Sequence, residues 1–225
     1  MLNNKTFLAI IPARGGSKRI PNKNLLMLKN KPLIVWSIEA ANESKYIDNV
    51  VVTSDNEKIL EISKDTSANV IKRPSELASD LSTTFDTIKH VLENVKNYDY
   101  VVLLQPTSPL RNYTHINEAI ELLDEKHADA IVSVCEMEHS PLWSNTIGEN
   151  GSMNNFLKDE VLNQRSQDLD TYFRLNGAIY ICKVDKLLSE KSFFLKENIF
   201  AYKMNRDKSI DIDEVIDFKI AECLI

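Results

Sequence analysis

The sequence predicts a doubly wound, mostly parallel α/β sheet. Short β-branched runs recur along the chain, stretches with helical apolar spacing separate them, and 225 residues are enough for one large domain with a buried core. The runs are Phe7 to Ile11, Asn49 to Thr53, Tyr100 to Leu104, Ala130 to Val134 and Ala178 to Cys182. Short and apolar, they read as buried strands. Between them, Pro32 opens a helix that runs through Trp36 and Ile38. Ile88, Val91, Leu92 and Val95 repeat at i, i+3, i+4 and i+7, as do Ile116, Ala119, Ile120 and Leu123, so two further helices each carry one apolar stripe. Val215, Ile216, Phe218 and Ile220 mark a last helix. Strand, helix, strand alternation implies right-handed crossovers and a sheet covered on both faces.

Residues 136–175 break this rhythm. They are polar and Asn-rich, with a Glu149-Asn150-Gly151 turn and no sustained period. Loops beyond about 15 residues without their own structure are uncommon in compact domains, so this stretch reads as an inserted arm that packs elsewhere. Residues 1–135 and 176–225 are then the α/β domain. No internal repeat or low-complexity tract interrupts it.

A net charge of −6 and a pI near 5.3 argue against a general nucleic-acid or acidic-membrane binder, because either partner would repel most of the surface. No stretch approaches the roughly 18 apolar residues of a membrane span, and the start lacks the charged and apolar regions of a signal peptide, which predicts a cytoplasmic protein. Cys135, Cys182 and Cys223 are too widely spaced for a zinc site and read as three buried small hydrophobes.

Against this acidic background the first strand runs into IIPARGGSKRIPNKNL, which holds four basic residues, Arg14, Lys18, Arg19 and Lys23, and two of the five glycines. Adjacent glycines allow a sharp turn and bring backbone N–H groups to a ligand, while Arg and Lys contact phosphate oxygens, so a polyphosphate suits this loop. It is neither GxxxxGK[ST] nor GxGxxG. Ligands of open α/β sheets bind beyond the carboxyl ends of strands, where this loop must lie. Near the C-terminus, Ser209-Ile210-Asp211-Ile212-Asp213 sets two carboxylates on one side of an extended segment. Such a pair suits Mg²⁺, which favours one or two carboxylates plus substrate phosphates, although Asp213 could equally cap the following helix. Gln105 begins a proline-stiffened loop, Gln105 to Arg111, at the same edge and offers an amide to a base or sugar. Arg174 and Asn176 could serve a carboxylate and hydroxyls, and Asn176-Gly177 is equally a turn.

IIPARGGSKRIPNKNL, RPSELASD, LLQPTSPLR, MEHSPL, RxNGAIYI and SIDIDxxxDF follow one another along the chain, and the match they carry runs from Ala9 to Glu222. Together they resemble the bacterial CMP-sialic acid synthetases, the acylneuraminate cytidylyltransferases, which implies a Rossmann-like nucleotidyltransferase fold. The resemblance implies a reaction of CTP with a nine-carbon 2-keto sugar acid that yields the CMP-sugar and pyrophosphate. On the matching positions, Arg14 and Lys23 would contact the triphosphate, with Ser17 and Asn24 beside them. Arg73 would lie in the cytosine region and Gln105 would contact the sugar acid. Arg174, Asn176 and Tyr180 would complete the acceptor pocket, and Asp211 and Asp213 would carry Mg²⁺.

The resemblance also implies that 136–175 is a dimerisation arm reaching over the partner's site, in a homodimer. Members of the family carry a lysine after the His-x-Pro-Leu run, where this chain has Trp143. That departure suits a more apolar acceptor lining, such as legionaminic or pseudaminic acid would require. A GT-A-like glycosyltransferase would also use DxD, but a nucleotide diphosphate sugar needs less positive charge than the first loop offers. An inactive nucleotide-binding protein would have no need to retain Arg14, Lys23, Asp211 and Asp213 together.

Overall fold

The computed structural model describes residues 2–17, 19–79 and 82–225. Among them, seven strands form the main sheet, β1 (Phe7–Pro12), β4 (Asn49–Ser54), β5 (Asn69–Lys72), β6 (Tyr100–Leu103), β7 (Ala130–Glu136), β8 (Phe173–Lys183) and β9 (Ile199–Met204), in the order β5-β4-β1-β6-β8-β7-β9. A small antiparallel pair, β2 (Met27–Leu28) and β3 (Lys31–Pro32), stands apart. The helices are α1 (Leu33–Asn42), α2 (Glu57–Asp65), α3 (Thr84–Asn94), α4 (Tyr113–Glu125), α5 (Val184–Glu190) and α6 (Val215–Leu224).

The mostly parallel, doubly wound sheet expected from sequence is present. Strand β8 alone runs antiparallel to its neighbours, pairing Tyr100 with Lys183 on one side and Ala130 with Cys182 on the other. Side chains alternate between two cores, as strands buried on both faces require. Phe7, Ala9, Ile11, Val50 and Val52 face α1 and α4, while Leu8, Ile10, Val51, Val101 and Leu103 face α3 and α5. The Ile116, Ala119, Ile120 and Leu123 stripe of α4 is fully buried. Pro32 immediately precedes the first helical residue of α1.

Sequence reading missed β5 and β9. The first is four residues long and only partly buried, and the second turns Phe200 outward, so neither gives a clear buried run. Two expectations need correction, and α6 adds a finding of its own. Cys135 and Cys182 are buried, but Cys223 is exposed. The apolar residues of α6 do not all face the core, since Val215, Ile216 and Ile220 lie at the surface. Helix α6 is capped by Glu214 in a reciprocal capping box with Asp217, not by Asp213.

Chain order and spatial order together position the functional edge. From β1 the chain moves outward through β4 to β5, then returns to place β6 on the other side of β1. The winding direction reverses between β1 and β6, where open α/β sheets form a ligand crevice. Strands β7 and β9 point the same way as β1, so the segments after β1, β4, β5, β6, β7 and β9 all emerge at one edge. The excursion leaves β7 there and re-enters through β8. Its base is closed by the pairing of Glu136 with Phe173 and by the Met137 N–H donating to the Tyr172 carbonyl at 2.9 Å. Between these points the described backbone contains only short 3-10 turns at Pro141–Trp143, Asp159–Val161 and Ser166–Asp168.

Candidate functional site

A cleft of about 290 Å³ opens at the switch between β1 and β6. Arg14, Ser17, Lys23, Asn24, Arg73 and Gln105 all line it, which unites six residues predicted from sequence and separated by up to ninety-one positions in the chain, from 14 to 105. The first loop is built rather than loose. The Asn24 side chain is buried and donates to the Arg14 carbonyl at 3.0 Å, while the Gly15 N–H donates to Asp55 Oδ1 at 2.9 Å. A Cβ on Gly15 would stand 2.9 Å from Asn56 Cβ, so only glycine allows the loop to dock this closely on the start of α2. Lys18 and Asp80, which belong to the motifs read from sequence, lie outside the described residues.

The opposite wall comes from the end of β5 and from α3. Arg73 is 6% exposed, and its NH1 donates to Thr87 Oγ1 at 3.2 Å. Asp55 Oδ1 stands 3.8 Å from NH2, while the Nε and NH2 groups make no hydrogen bond. Burial, opposed by Asp55 and reinforced by Arg14, lowers the pKa of this guanidinium from its usual value. A cation already stripped of water, with donors still to fill, is a prepared partner for a polar ligand atom. The N-terminus of α3, capped by Thr83 and Asp86, adds Thr83, Thr84 and Thr87 to the same wall.

The carboxylate segment adjoins the cleft. Lys23 Nζ donates to the Ile212 carbonyl at 2.5 Å and stands 3.5 Å from Asp213, which Arg19 also meets at 3.0 Å. Ile20 and Ile212 share a small apolar cluster with Leu28, Leu33 and Ala221, so packing as well as charge joins the basic loop to the SIDID segment. The Ile212 N–H donates to the Thr107 carbonyl at 2.8 Å, which ties the segment to the Gln105 loop. Asp211 is held with its proton above the ordinary aspartate range, chiefly by burial and further by Asp213, against the pull of a Thr107 hydrogen bond, Lys23 and Arg174. Its buried Oδ1 has no hydrogen-bond partner. That orphaned oxygen fits a divalent cation, for which Asp211 and Asp213 are the available ligands. Among the described residues no cluster of three or more metal-ligating side chains offers a complete protein cage.

Beside the carboxylate segment, β8 bulges against β7. Val132 pairs with Tyr180, but Val134 pairs with Leu175, so Asn176 to Ile179 oppose the single residue Ser133. Gly177 adopts φ +73°, and a Cβ there would lie 3.1 Å from Gln105 Oε1 and 3.4 Å from Asp211 Oδ2. The bulge therefore brings bare backbone beneath two predicted site residues. Arg174 NH2 donates to the Ser209 carbonyl at 3.3 Å. Tyr180 is half-buried, and burial and the nearby Asp211 charge raise the pKa of its phenol.

Asn176 has a different task from the one expected. Its Oδ1 accepts from Ser133 Oγ at 2.6 Å and the Ala178 N–H at 3.2 Å, and its Nδ2 donates to Ser209 Oγ at 3.0 Å and Met204 Sδ at 3.3 Å. The amide is consumed in holding the bulge, which is nearer the turn reading of Asn176-Gly177 than the ligand one. Trp143 is half-buried in the excursion and does not line the cleft.

Sequence reasoning overlooked Asp55 and Arg111. Asp55 had a positional signal, an acid directly after a strand at the binding edge. Arg111 is 1% exposed, and its NH2 donates to Ser37 Oγ at 2.6 Å and to the Gln105 carbonyl at 3.4 Å. Burial lowers its pKa to about 9. Ser37 Oγ and the Ser108 N–H also donate to that Gln105 carbonyl, each at 3.3 Å, so the loop is pinned from behind. Nothing in a single arginine codon announces its burial.

Comparison with known proteins gives the same architecture. The chain is 38% identical over 216 residues to an N-acylneuraminate cytidylyltransferase of Escherichia coli O18:K1:H7, covering 95% of this chain and 51% of that one. It therefore spans about half the length of that relative. It is 35% identical to a CMP-N,N'-diacetyllegionaminic acid synthase of Legionella pneumophila, covering 97% of this chain and 95% of that one. A solved structure of CMP:2-keto-3-deoxy-manno-octonic acid synthetase complexed with CTP shares the fold, with a TM-score of 0.74, 17% identity and 98% coverage of both chains. The cytidylyltransferase signature matches residues 8–224, and the chain belongs to that family.

Proposed function

We propose that the protein transfers a cytidylyl group from CTP to a nine-carbon 2-keto sugar acid of the N-acylneuraminate type, releasing pyrophosphate. The observation that carries this reading is the convergence of a basic loop and a buried arginine with unfilled donors at one crevice, with a desolvated carboxylate in the segment that adjoins it. Arg14 and Lys23, beside Ser17 and Asn24, hold the triphosphate, and Arg73 with the α3 hydroxyls takes the cytosine. Gln105, Arg174 and Tyr180 hold the sugar acid. Its anomeric hydroxyl gives up its proton to solvent as the oxygen attacks the α-phosphorus, a new P–O bond forms, and the bond to the β-phosphate oxygen breaks with its electron pair leaving on pyrophosphate. Arg14 and Lys23 offset the charge that gathers on that leaving group. Asp211 and Asp213 hold Mg²⁺, which when bound neutralises phosphate charge and lowers the pKa of the attacking hydroxyl.

The protein works as a homodimer in which the 136–175 arm reaches the partner's acceptor site. The apolar residues Ile147, Met153 and Leu162 are exposed along it, which supports burial against a second copy. Trp143 in that arm favours a second acceptor reading, legionaminic or pseudaminic acid, because an indole suits deoxy or acylamino carbons better than a hydroxylated tail. CTP-dependent pyrophosphate release across a panel of nonulosonic acids tests both. Turnover with N-acetylneuraminate is expected, higher turnover with legionaminic acid would select the second reading, and no turnover with any member would overturn the function.

A further inference from the structure

The three strands β1, β4 and β5 end side by side, with Pro12 opposite Thr53 and Ser54 opposite Lys72. Asp55 is the next residue after β4, and it stands between the segments that continue from its neighbours. The Ala13 N–H donates to the Thr53 carbonyl at 3.0 Å and the Arg73 N–H to the Ser54 carbonyl at 2.8 Å, so register fixes both flanks. One atom then serves two masters. Asp55 Oδ1 accepts the Gly15 N–H at 2.9 Å and faces Arg73 NH2 at 3.8 Å. Arg14, adjacent to Gly15, repels Arg73, and Asp55 opposes that repulsion. The Gly15 amide is thus already engaged, and it shapes the phosphate loop instead of meeting phosphate. Asp55 is not among the residues lining the cleft, so whatever it does there it does through Gly15 and Arg73.

We propose that Asp55 is a positioning residue that couples the seating of the nucleobase to the shape of the phosphate loop, an inference that rests on reading the cleft as a CTP site. The Arg73 NH2 is buried and lacks a hydrogen bond, and the separation from Asp55 is short enough for a small guanidinium shift to close. A base that engages Arg73 draws it against Asp55, and Asp55 passes that restraint to Gly15 and so to Arg14. Correct base and correct triphosphate placement then stabilise one another, which is a coupling between subsites of one ligand.

The test compares Asp55→Asn and Asp55→Ala with the wild type. CTP and UTP binding are measured by calorimetry without acceptor, and kcat and KM are measured with acceptor. Asp55→Asn keeps an oxygen for the Gly15 N–H but loses the charge facing Arg73. It should raise the Kd for CTP and lower the preference for CTP over UTP, each by about tenfold, while kcat changes little. Asp55→Ala also loses the Gly15 anchor and should lower kcat by a further factor of about ten. In the background of Arg73→Lys, Asp55→Asn should have no further effect on the CTP to UTP ratio, because the two act in series. Additive effects on that ratio, or variants that lose thermal stability and kcat together with nucleotide preference intact, would overturn the proposal. A wild-type protein that binds CTP no better than UTP would instead overturn the reading of the cleft, and the coupling with it.

Discussion

The two halves of the binding edge are built to different standards. Around the first loop, Asn24, Arg73 and Thr87 are buried polar residues joined to the backbone and to one another by defined hydrogen bonds. In residues 137–172 large apolar groups stand in solvent and the described backbone forms only brief turns. Preorganised donors are what stabilise charge that develops on a phosphate, since they cost no reorganisation during reaction. A segment that must seat against another surface gains nothing by being rigid on its own domain. On the proposed function, this contrast would leave the chemistry to the single chain and the choice of acceptor to the assembly.

The sharpest way to break this comparison is at Asp211, in the segment that Lys23 and Thr107 tie to the cleft. Asp211→Asn should lower kcat by about a thousandfold, since a preorganised charge at a transferring phosphoryl group is worth at least that of an oxyanion donor. The same variant should be more stable than the parent. The folded state raises the Asp211 pKa, so folding favours the protonated form, and the ionised carboxylate costs stability once pH rises through the folded-state value. The amide carries no such cost, and the thermal midpoint at neutral pH should rise. A midpoint that falls in Asp211→Asn would show that the carboxylate is structural.

Next in size, Arg14→Ala and Arg73→Met should each reduce kcat/KM for CTP by about a hundredfold with little effect on the acceptor KM. Excess EDTA should abolish turnover in every variant that retains it, and undiminished activity would remove the metal assignment. Gly177→Ala probes the β8 bulge, which lies outside both regions. Its φ of +73° and the 3.1 Å approach to Gln105 should cost about 1–2 kcal/mol of stability and raise the acceptor KM while sparing that for CTP. Smallest of all, Trp143→Lys should shift relative kcat/KM toward N-acetylneuraminate by a few fold. A monomer in sedimentation analysis, or an unchanged ratio, would detach the arm from acceptor choice.

The first-loop side of the cleft is far more legible in the sequence than the β8 side, for a physical reason. Arg14, Ser17, Lys23 and Asn24 are neighbours in the chain, so one short window displays their chemistry, and β1 before them is an unbroken buried run. Asp55 acts alone from a strand end, and Arg111 is visible in sequence as part of a turn but not as a buried cation. Asn176 shows in sequence only its amide, whereas the β-bulge that consumes that amide depends on Ser133 in β7 and on Met204 and Ser209 at and beyond the end of β9, which no local pattern connects. Asp213 is ambiguous in sequence between ligand and cap, and the structure gives the cap to Glu214.

The position of β8 also governs the order in which this molecule can assemble. Strands β6 and β7 are consecutive in the chain but never touch as neighbours in the sheet, because β8 lies between them and arrives only after the whole excursion. A nascent chain ending before Phe173 can complete β5-β4-β1-β6, yet it lacks the strand that joins β7 to β6, and β9, which pairs with β7, has still to be made. The Gln105 loop and the Asp211 segment therefore meet only when a long-range strand insertion closes the sheet, a slow class of event because loop closure precedes its reward. A partly folded chain would carry the basic loop without its opposing carboxylates, and pulse-labelled hydrogen exchange should find β1 and β4 protected before β7 and β9.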